Sequence, residues 1–210
     1  WNQFRGVNGQ GHVDAKIPQF WSQNSSNLSW RTSIKGMAWS SPILVRDQIV
    51  VTNARTLGDG KSLDLEVVAL NESTGKITWR SSLFTYPDLP RIHRKNSYAS
   101  PTPYFDGESI FVHYGNLGTA CLNTQGKTLW KKVFDYSPVH GSGCSPVVYD
   151  NLLIFSADGA SDPSIYGINK KNGNVRWKTT RTSKTKKNFS FCTPLVVPRG
   201  SVMQIISPAS

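Results

Sequence analysis

Short runs of alternating apolar and polar residues, each interrupted by a turn, recur along the chain. "ILV" after Pro42 leads to a turn at Arg46-Asp47 and then to "IVVTN". Three similar pairs of runs follow, with turns at Asp106-Gly107, Asp150-Asn151 and Arg199-Gly200. These residue types tolerate the backbone angles of tight hairpins. A period of two predicts half-buried strands, and no segment has a convincing helical period. The chain is therefore predicted to be all-β.

Two markers repeat along the chain with a period of about 48 residues. The first is a tryptophan at intervals of 49, 51 and 47 residues: Trp30, Trp79, Trp130 and Trp177. The second is a Ser/Thr-Pro pair: Ser41-Pro42, Ser100-Pro101, Ser145-Pro146 and Thr193-Pro194. Each period holds four short strands, the fourth ending at the tryptophan. Four antiparallel strands in about 40–50 residues are typical of a β-propeller blade.

The phrase "ALNESTGKITW" at residues 69–79 returns as "CLNTQGKTLW" and "GINKKNGNVRW". Its asparagine suits the start of a turn, where a short side chain bonds the backbone: Asn71, Asn123 and Asn169. Its glycine suits a position with positive φ: Gly75, Gly126 and Gly173. We expect the tryptophan that follows to bury its large surface against the neighbouring blade.

The same phrase resembles A-x-D-x-x-T-G-K-x-x-W, the tryptophan-docking repeat of propellers of the pyrroloquinoline quinone (PQQ) type, with Asn71 in place of Asp. The opening "WNQFRGVNGQG" also resembles the start of PQQ-like repeat proteins of planctomycete-type bacteria. The resemblance implies seven or eight blades in a complete ring. We predict complete blades at residues 40–80, 99–131 and 144–178, and the start of another at 192–210.

Residues 1–39 are predicted to form an N-terminal segment with a closing strand. On this interpretation the sequence is a fragment of a longer propeller. The alternative is a four-bladed ring, closed by strands from residues 1–30 that join Thr193–Ile206.

Lysine and arginine outnumber aspartate and glutamate 24 to 13, giving a net charge of +11. The densest basic runs are Arg181 to Phe189 and Arg91 to Lys95. Both fall in predicted loops and neither lies beside a nucleic-acid-binding motif, so a solvated surface is favoured over a specific nucleic-acid site. No run approaches the roughly 20 apolar residues of a transmembrane segment, and no signal peptide stands at Trp1.

The three cysteines include no CxxC pair, which excludes a zinc ribbon, a thioredoxin-like pair and c-type haem attachment. Cys144 and Cys192 directly precede the Ser/Thr-Pro marker, at a position that takes small residues elsewhere. We expect two packed thiols there, although adjacent inner strands would also allow a disulfide.

Ligands of propellers usually bind at the axial mouth, where the loops that precede the Ser/Thr-Pro markers gather. The candidates for ligand binding are Trp39, His93, Arg94, Asn96, Tyr98 and His140. Arg94 suits a carboxylate or quinone oxygen, and either histidine suits a base or ligand. The alternative, which the sequence favours, is that His93 and Arg94 are merely exposed in a long loop and that His140 packs against glycine. Asp158 and Asp162 in "SADGASDP" are spaced too loosely for a calcium loop, and a turn explains them better.

The resemblance implies a family that contains both quinoprotein dehydrogenases and non-catalytic propellers such as BamB. The chain lacks the adjacent cysteines of many such dehydrogenases and a convincing catalytic aspartate, so no catalytic residue, metal or cofactor is assigned. We therefore expect a non-catalytic, extracytoplasmic scaffold in the periplasm or at the cell surface. It would bind a protein partner or small ligand at its top face.

Two alternatives stay open. One is a PQQ- and calcium-dependent dehydrogenase whose active site is completed by missing blades. The other is a sugar or polyanion binder that uses the basic loops.

Overall fold

The structure, a computed structural model, describes residues 1–58, 60–182 and 189–209. It contains three four-stranded antiparallel sheets and one two-stranded sheet. The first sheet consists of β1 (Ile43–Val45), β2 (Gln48–Thr56), β3 (Leu63–Asn71) and β4 (Ile77–Tyr86). The second consists of β5 (Tyr104–Phe105), β6 (Ile110–His113), β7 (Thr119–Leu122) and β8 (Thr128–Lys132). The third consists of β9 (Val147–Tyr149), β10 (Leu152–Ala157), β11 (Ser164–Asn169) and β12 (Val175–Thr180). The last pairs β13 (Leu195–Arg199) with β14 (Val202–Ile206).

Each four-stranded sheet is a simple meander, in which every strand pairs with its neighbour in sequence. Consecutive antiparallel strands put the first and third turns of each sheet at one end, here called the lower face. The second turn and the connection to the next sheet lie at the opposite end, the upper face. Two short 3-10 turns, Val7–Gly9 and Gly115–Leu117, are the helical elements of the described residues, and neither approaches the length that would cross a membrane. The all-β prediction in four-stranded units is confirmed.

The sheets stack face to face, because neighbouring residues of a strand point to opposite sides of the sheet. In β6, Val112 joins the core shared with Leu65 of the first sheet. The preceding residue, Phe111, joins the core shared with Phe155 and Ile168 of the third sheet. An inner blade is therefore apolar on both faces.

The repeated tryptophans join one blade to the next at the lower face. The ring of Trp79 lies on Gly126, whose φ is 81°, and a Cβ atom there would lie 2.5 Å from a ring carbon. Trp130 lies on Gly173 and Trp30 on Gly75 in the same way, again at positive φ. Trp177, on the last complete sheet, faces Gly167 of its own sheet.

The segment around Trp30 takes the place of an outermost strand that precedes the first sheet. Thr32 Oγ1 donates a hydrogen bond to the carbonyl of Gly75 at 2.6 Å, as Ser81 Oγ donates to that of Gly126 at 2.5 Å. Each hydroxyl stands two residues after a docked tryptophan.

The four-bladed alternative requires strands from residues 1–30 to join Thr193–Ile206, and the described residues contain no such pairing. Within the described residues, β13 and β14 pair only with each other. The N-terminus lies instead along the innermost strands of other blades. The Leu44 amide donates to Trp1 O at 2.7 Å, and the Phe105 amide donates to Asn2 O at 2.8 Å.

Hydrogen bonds between residues at the starts of successive innermost strands show which Ser/Thr-Pro pair is the repeat marker of the second blade. The Ser41 amide donates to Thr102 Oγ1 at 3.0 Å, and the Thr102 amide donates to Ser145 Oγ at 2.9 Å. The Ser145 amide then donates to Thr193 Oγ1 at 3.0 Å. The equivalent pair in the second blade is therefore Thr102-Pro103, two residues after the predicted Ser100-Pro101. The sequence "SPTP" contains both, and only the interblade contact distinguishes them.

The cysteines are free thiols in different environments. Cys144 is buried, its sulfur accepts the Ser156 amide at 3.3 Å, and burial raises its pKa to about 12. Cys192 is exposed, so the expectation of two packed thiols holds for Cys144 and is wrong for Cys192.

Candidate functional site

Two long connections meet on the upper face between the second and third blades. One links β4 to β5 over residues 87–103, and the other links β8 to β9 over residues 133–146. The His93 amide donates to His140 O at 3.2 Å. Asn96 Nδ2 donates to the same carbonyl at 2.9 Å and to Ser142 O at 3.2 Å. Backbone and side chain thus hold the connections together.

Local sequence explains why these connections hold one shape. Asn96 Oδ1 accepts the Ser97 amide at 2.9 Å and Ser100 Oγ at 2.6 Å, so the amide group is bonded on both sides. Gly141 has φ 87°, and a Cβ there would lie 2.9 Å from Asn96 Nδ2. Tyr98 Oη closes the first connection by donating to Pro90 O at 2.5 Å. Asn96 and Gly141 therefore position the loops.

A row of rings crosses the upper face from the second blade toward the fourth. His93 and His140 meet at 4.8 Å between ring centroids with planes inclined by 66°. His140 stacks on Phe191 at 6.1 Å and meets Phe189 edge-on at 5.5 Å. Since Phe189 and Phe191 precede β13, the row spans three successive connections.

Beside this row lies a cavity of about 620 Å³, here called the upper cleft. It is lined by Arg91, Ile92, His93, Arg94, Ser137, Pro138, Val139, His140 and Ala160. A second cavity of about 210 Å³ has Arg91, Ile92, Ser137 and Pro138 in its lining too, and reaches Tyr98 and Asn116. Neither set of lining residues includes an aspartate or a glutamate.

The cleft presents hydrogen-bond donors with a defined chemistry. His93 Nδ1 accepts the Lys95 amide at 3.2 Å, so the neutral ring carries its proton on Nε2 and offers it as a donor. Arg91 and Arg94 are exposed, and neither forms an ion pair within the described part of the chain. Their guanidinium groups are free to bind an anion.

The predicted candidates divide into two groups. His93, Arg94 and His140 line the upper cleft, Asn96 ties its walls together, and Tyr98 lines the adjoining cavity. Trp39 lines neither cavity; the residue is 54% exposed and its amide donates to Ala99 O at 3.1 Å. Residues 183–188 of the basic run Arg181 to Phe189 are outside the described residues.

The aspartates of "SADGASDP" each pair with a cation from the third blade's last strand or its end. Arg181 binds Asp158 through two hydrogen bonds, of 2.5 and 3.0 Å, and the carboxylate is fully buried. Burial raises the pKa of Asp158, and the bonds from Arg181 oppose that rise. Asp162 pairs with Lys178 at the surface. The turn interpretation of this loop thus gains two ion pairs that sequence spacing did not reveal.

The PQQ-type resemblance raises the question of whether the site suits PQQ with calcium. Such a site uses carboxylates and amides around the cation. Neither cavity of the upper face is lined by a carboxylate, and Asp158 is already bonded to Arg181. Within residues 1–58, 60–182 and 189–209 there is no group of three His, Cys, Asp or Glu side chains that would hold a metal ion. The described residues do not fit this cofactor.

Four-stranded meanders stacked face to face, with Trp79 and Trp130 each docked on the following blade, define a β-propeller of PQQ-type blades. The chain belongs to the family described as outer membrane protein assembly factor BamB, whose sequence model matches residues 63–204.

Comparison with individual proteins adds relatives of known name. The chain is 28% identical over 139 residues to tetrathionate hydrolase of Acidithiobacillus ferrooxidans, covering 57% of this chain and 26% of that protein. It also resembles a europium-containing methanol dehydrogenase, with a TM-score of 0.52 and 16% identity over 82% of this chain and 30% of the other. A quinohemoprotein alcohol dehydrogenase from Pseudomonas putida gives a TM-score of 0.50 and 14% identity over 72% and 22%. The chain spans less than a third of each relative, and the structural likenesses show the fold alone.

Proposed function

We propose that this chain is part of a non-catalytic binding propeller, whose upper cleft holds a segment of a partner protein. The observation that carries the proposal is the pre-formed cleft between residues 87–98 and 135–143. Its walls are joined by bonds from Asn96 to the carbonyls of His140 and Ser142. A site already held in its binding conformation loses less entropy when a partner binds.

The family supports both the role and the location. The matching model describes an outer membrane protein assembly factor, which supports the proposal that the full protein lies outside the cytoplasm and holds other proteins together there. The upper cleft suits such a role because it combines cationic residues with apolar walls such as Val139, which is 40% exposed. We expect seven or eight blades in the complete ring.

Site-specific photo-crosslinking of the full-length protein in its native cells tests this proposal. A photoreactive benzoylphenylalanine replaces Val139 in the cleft or Lys171 in the lower-face turn, both exposed. The proposal predicts one dominant protein adduct from position 139 and no such adduct from position 171. Equal adduct patterns from the two faces, or no adduct from position 139, would argue against it.

A PQQ- and calcium-dependent dehydrogenase, whose active site would be completed by residues outside those described, is the second candidate, because the repeated phrase that ends at Trp79 resembles the PQQ-type blade repeat. A titration of the full-length protein with PQQ and Ca²⁺, followed by tryptophan fluorescence, distinguishes the two. The scaffold proposal predicts no saturable quenching. Saturable binding at micromolar PQQ, followed by dye-linked oxidation of an alcohol, would replace that proposal with the quinoprotein one.

A further inference from the structure

We propose that the upper cleft recognises carboxylate side chains of an acidic peptide segment. This inference rests on the proposed function, since it names the chemistry of the partner that the same cleft holds. The structural feature behind it is a set of unpaired cationic and donor groups on one pre-formed wall.

The charge of the residues that line the upper cleft favours an anionic ligand. Arg91 and Arg94 line the cleft, Lys95 follows them, and all three side chains are exposed. Several other basic residues have acidic partners, among them Lys178 with Asp162 and Arg55 with Asp64. The cleft arginines form no such pair among the described residues, and no acidic side chain lines the cavity. An anionic group from a partner would therefore supply the missing ion-pair partner of Arg91 and Arg94.

The arrangement of hydrogen-bond donors in the upper cleft favours a carboxylate oxygen over a metal ion. Guanidinium groups present paired N–H donors that match the two oxygens of a carboxylate. Because the Lys95 amide occupies His93 Nδ1 as acceptor, the neutral ring offers Nε2–H as a third donor. A metal ion at Nε2 would require the proton to move to Nδ1, where it would point at the Lys95 amide hydrogen.

The volume and the apolar walls of the upper cleft also suit a peptide segment. The volume of about 620 Å³ lies within the range of roughly 300–1,000 Å³ that is usual for binding pockets. Ile92, Pro138 and Val139 provide apolar walls between the cationic residues. A segment that alternates glutamate or aspartate with apolar residues complements both parts of this lining.

Fluorescence anisotropy with labelled peptides on the full-length protein tests the inference. The probe is a short peptide of alternating glutamate and leucine, and its matched control has glutamine in place of every glutamate. The protein variants are Arg91→Gln/Arg94→Gln and Arg176→Gln. The last removes an exposed charge from the outer strand β12, away from the cleft.

We expect the glutamate peptide to bind and the glutamine peptide to bind at least about tenfold more weakly. The double variant should lose a similar factor, Arg176→Gln should bind like the natural protein, and added salt should weaken the glutamate complex. Equal binding of the two peptides, or undiminished binding by the double variant, would overturn the inference.

The photo-crosslinking result separates failure of this inference from failure of the proposed function. A specific adduct at position 139 without binding of the glutamate peptide would overturn only the acidic-segment inference. Absence of both would overturn the two proposals together.

Discussion

The lower and upper faces of this propeller are built from the same strands but follow opposite rules. At the lower face, one turn recurs with its asparagine, glycine and docked tryptophan, and Gly126 and Gly173 have nearly equal φ values of 81° and 72°. At the upper face, the connections between blades share no common sequence. The connection after β4 carries two unpaired arginines, and the one after β8 carries His140.

Under the proposed function, this difference separates residues that stabilise the blades from residues that bind a partner. The repeated turn lets an indole ring pack on the glycine of the next blade, and the same contact recurs for Trp30, Trp79 and Trp130. The upper connections are free of that requirement, because the hydroxyl ladder from Ser41 to Thr193 already joins the innermost strands. Changes at the lower face should therefore alter stability, and changes in the upper cleft should alter binding.

Gly126→Ala should show the largest loss of stability. The alanine would have to adopt a φ of 81°, and its methyl group would lie 2.5 Å from a ring carbon of Trp79. We expect the free energy of unfolding to fall by about 3–4 kcal/mol, from backbone strain and overpacking together. Gly107→Ala is the matched control, since that glycine also has positive φ but has no atom within 4 Å of its Cβ position. If urea unfolding gives the same loss of unfolding free energy for Gly126→Ala and Gly107→Ala, contact with Trp79 adds nothing to the cost at Gly126.

Asp158→Asn should be nearly as damaging, although it lies toward the upper face. Arg181 would keep a buried positive charge without its carboxylate, which typically costs about 3 kcal/mol or more. Asp162→Asn breaks an exposed pair in the same blade and should barely change the melting temperature. If Asp158→Asn and Asp162→Asn have the same melting temperature, the buried ion pair between Asp158 and Arg181 does not stabilise the upper loops.

His113 predicts a dependence of stability on pH. Its ring is buried against Phe155, Nδ1 bonds Thr119 Oγ1 at 2.8 Å, and burial lowers its pKa from 6.5 to about 3. The unfolded chain therefore binds the extra proton between those values, so stability is complete above pH 6.5 and falls as the pH is lowered.

This histidine alone should remove about 2–3 kcal/mol between pH 6.5 and 4.5. His113→Phe keeps an aromatic ring beside Phe155 and removes the titration. Urea unfolding at several pH values should give a flatter profile for this variant than for the natural protein. Parallel profiles would show that His113 is not the group responsible.

The double variant Arg91→Gln/Arg94→Gln should have the smallest effect on stability. Both side chains are exposed and unpaired within the described chain, so each substitution should change the free energy of unfolding by less than about 0.5 kcal/mol. A large drop in melting temperature would mean that these arginines stabilise the loops, and the separation between the two faces would be lost.

Periodicity explains why the sequence revealed the lower face well. Gly75, Gly126 and Gly173 could be recognised because the same turn recurs, and a recurring turn has one physical cause. The second Ser/Thr-Pro marker was misplaced because "SPTP" offers two pairs, and only a hydrogen bond from another blade selects Thr102. Local patterns hold no information on such a contact.

The upper face was less predictable for the same reason. The bidentate pair of Asp158 and Arg181 joins residues 23 positions apart, and the meeting of His93 with His140 depends on how two unrelated loops pack. Loop position was enough to nominate His93, Arg94 and His140, which line the cleft. It also nominated Trp39, which lies outside it because its backbone is held by Ala99.

The most direct test of the account is crosslink yield from benzoylphenylalanine at position 139, compared between the natural full-length protein and the Arg91→Gln/Arg94→Gln variant. We expect one dominant partner adduct that is lost in the variant while the melting temperature stays unchanged. An adduct of equal yield in both proteins would contradict the claim that the cationic wall of the upper cleft holds the partner.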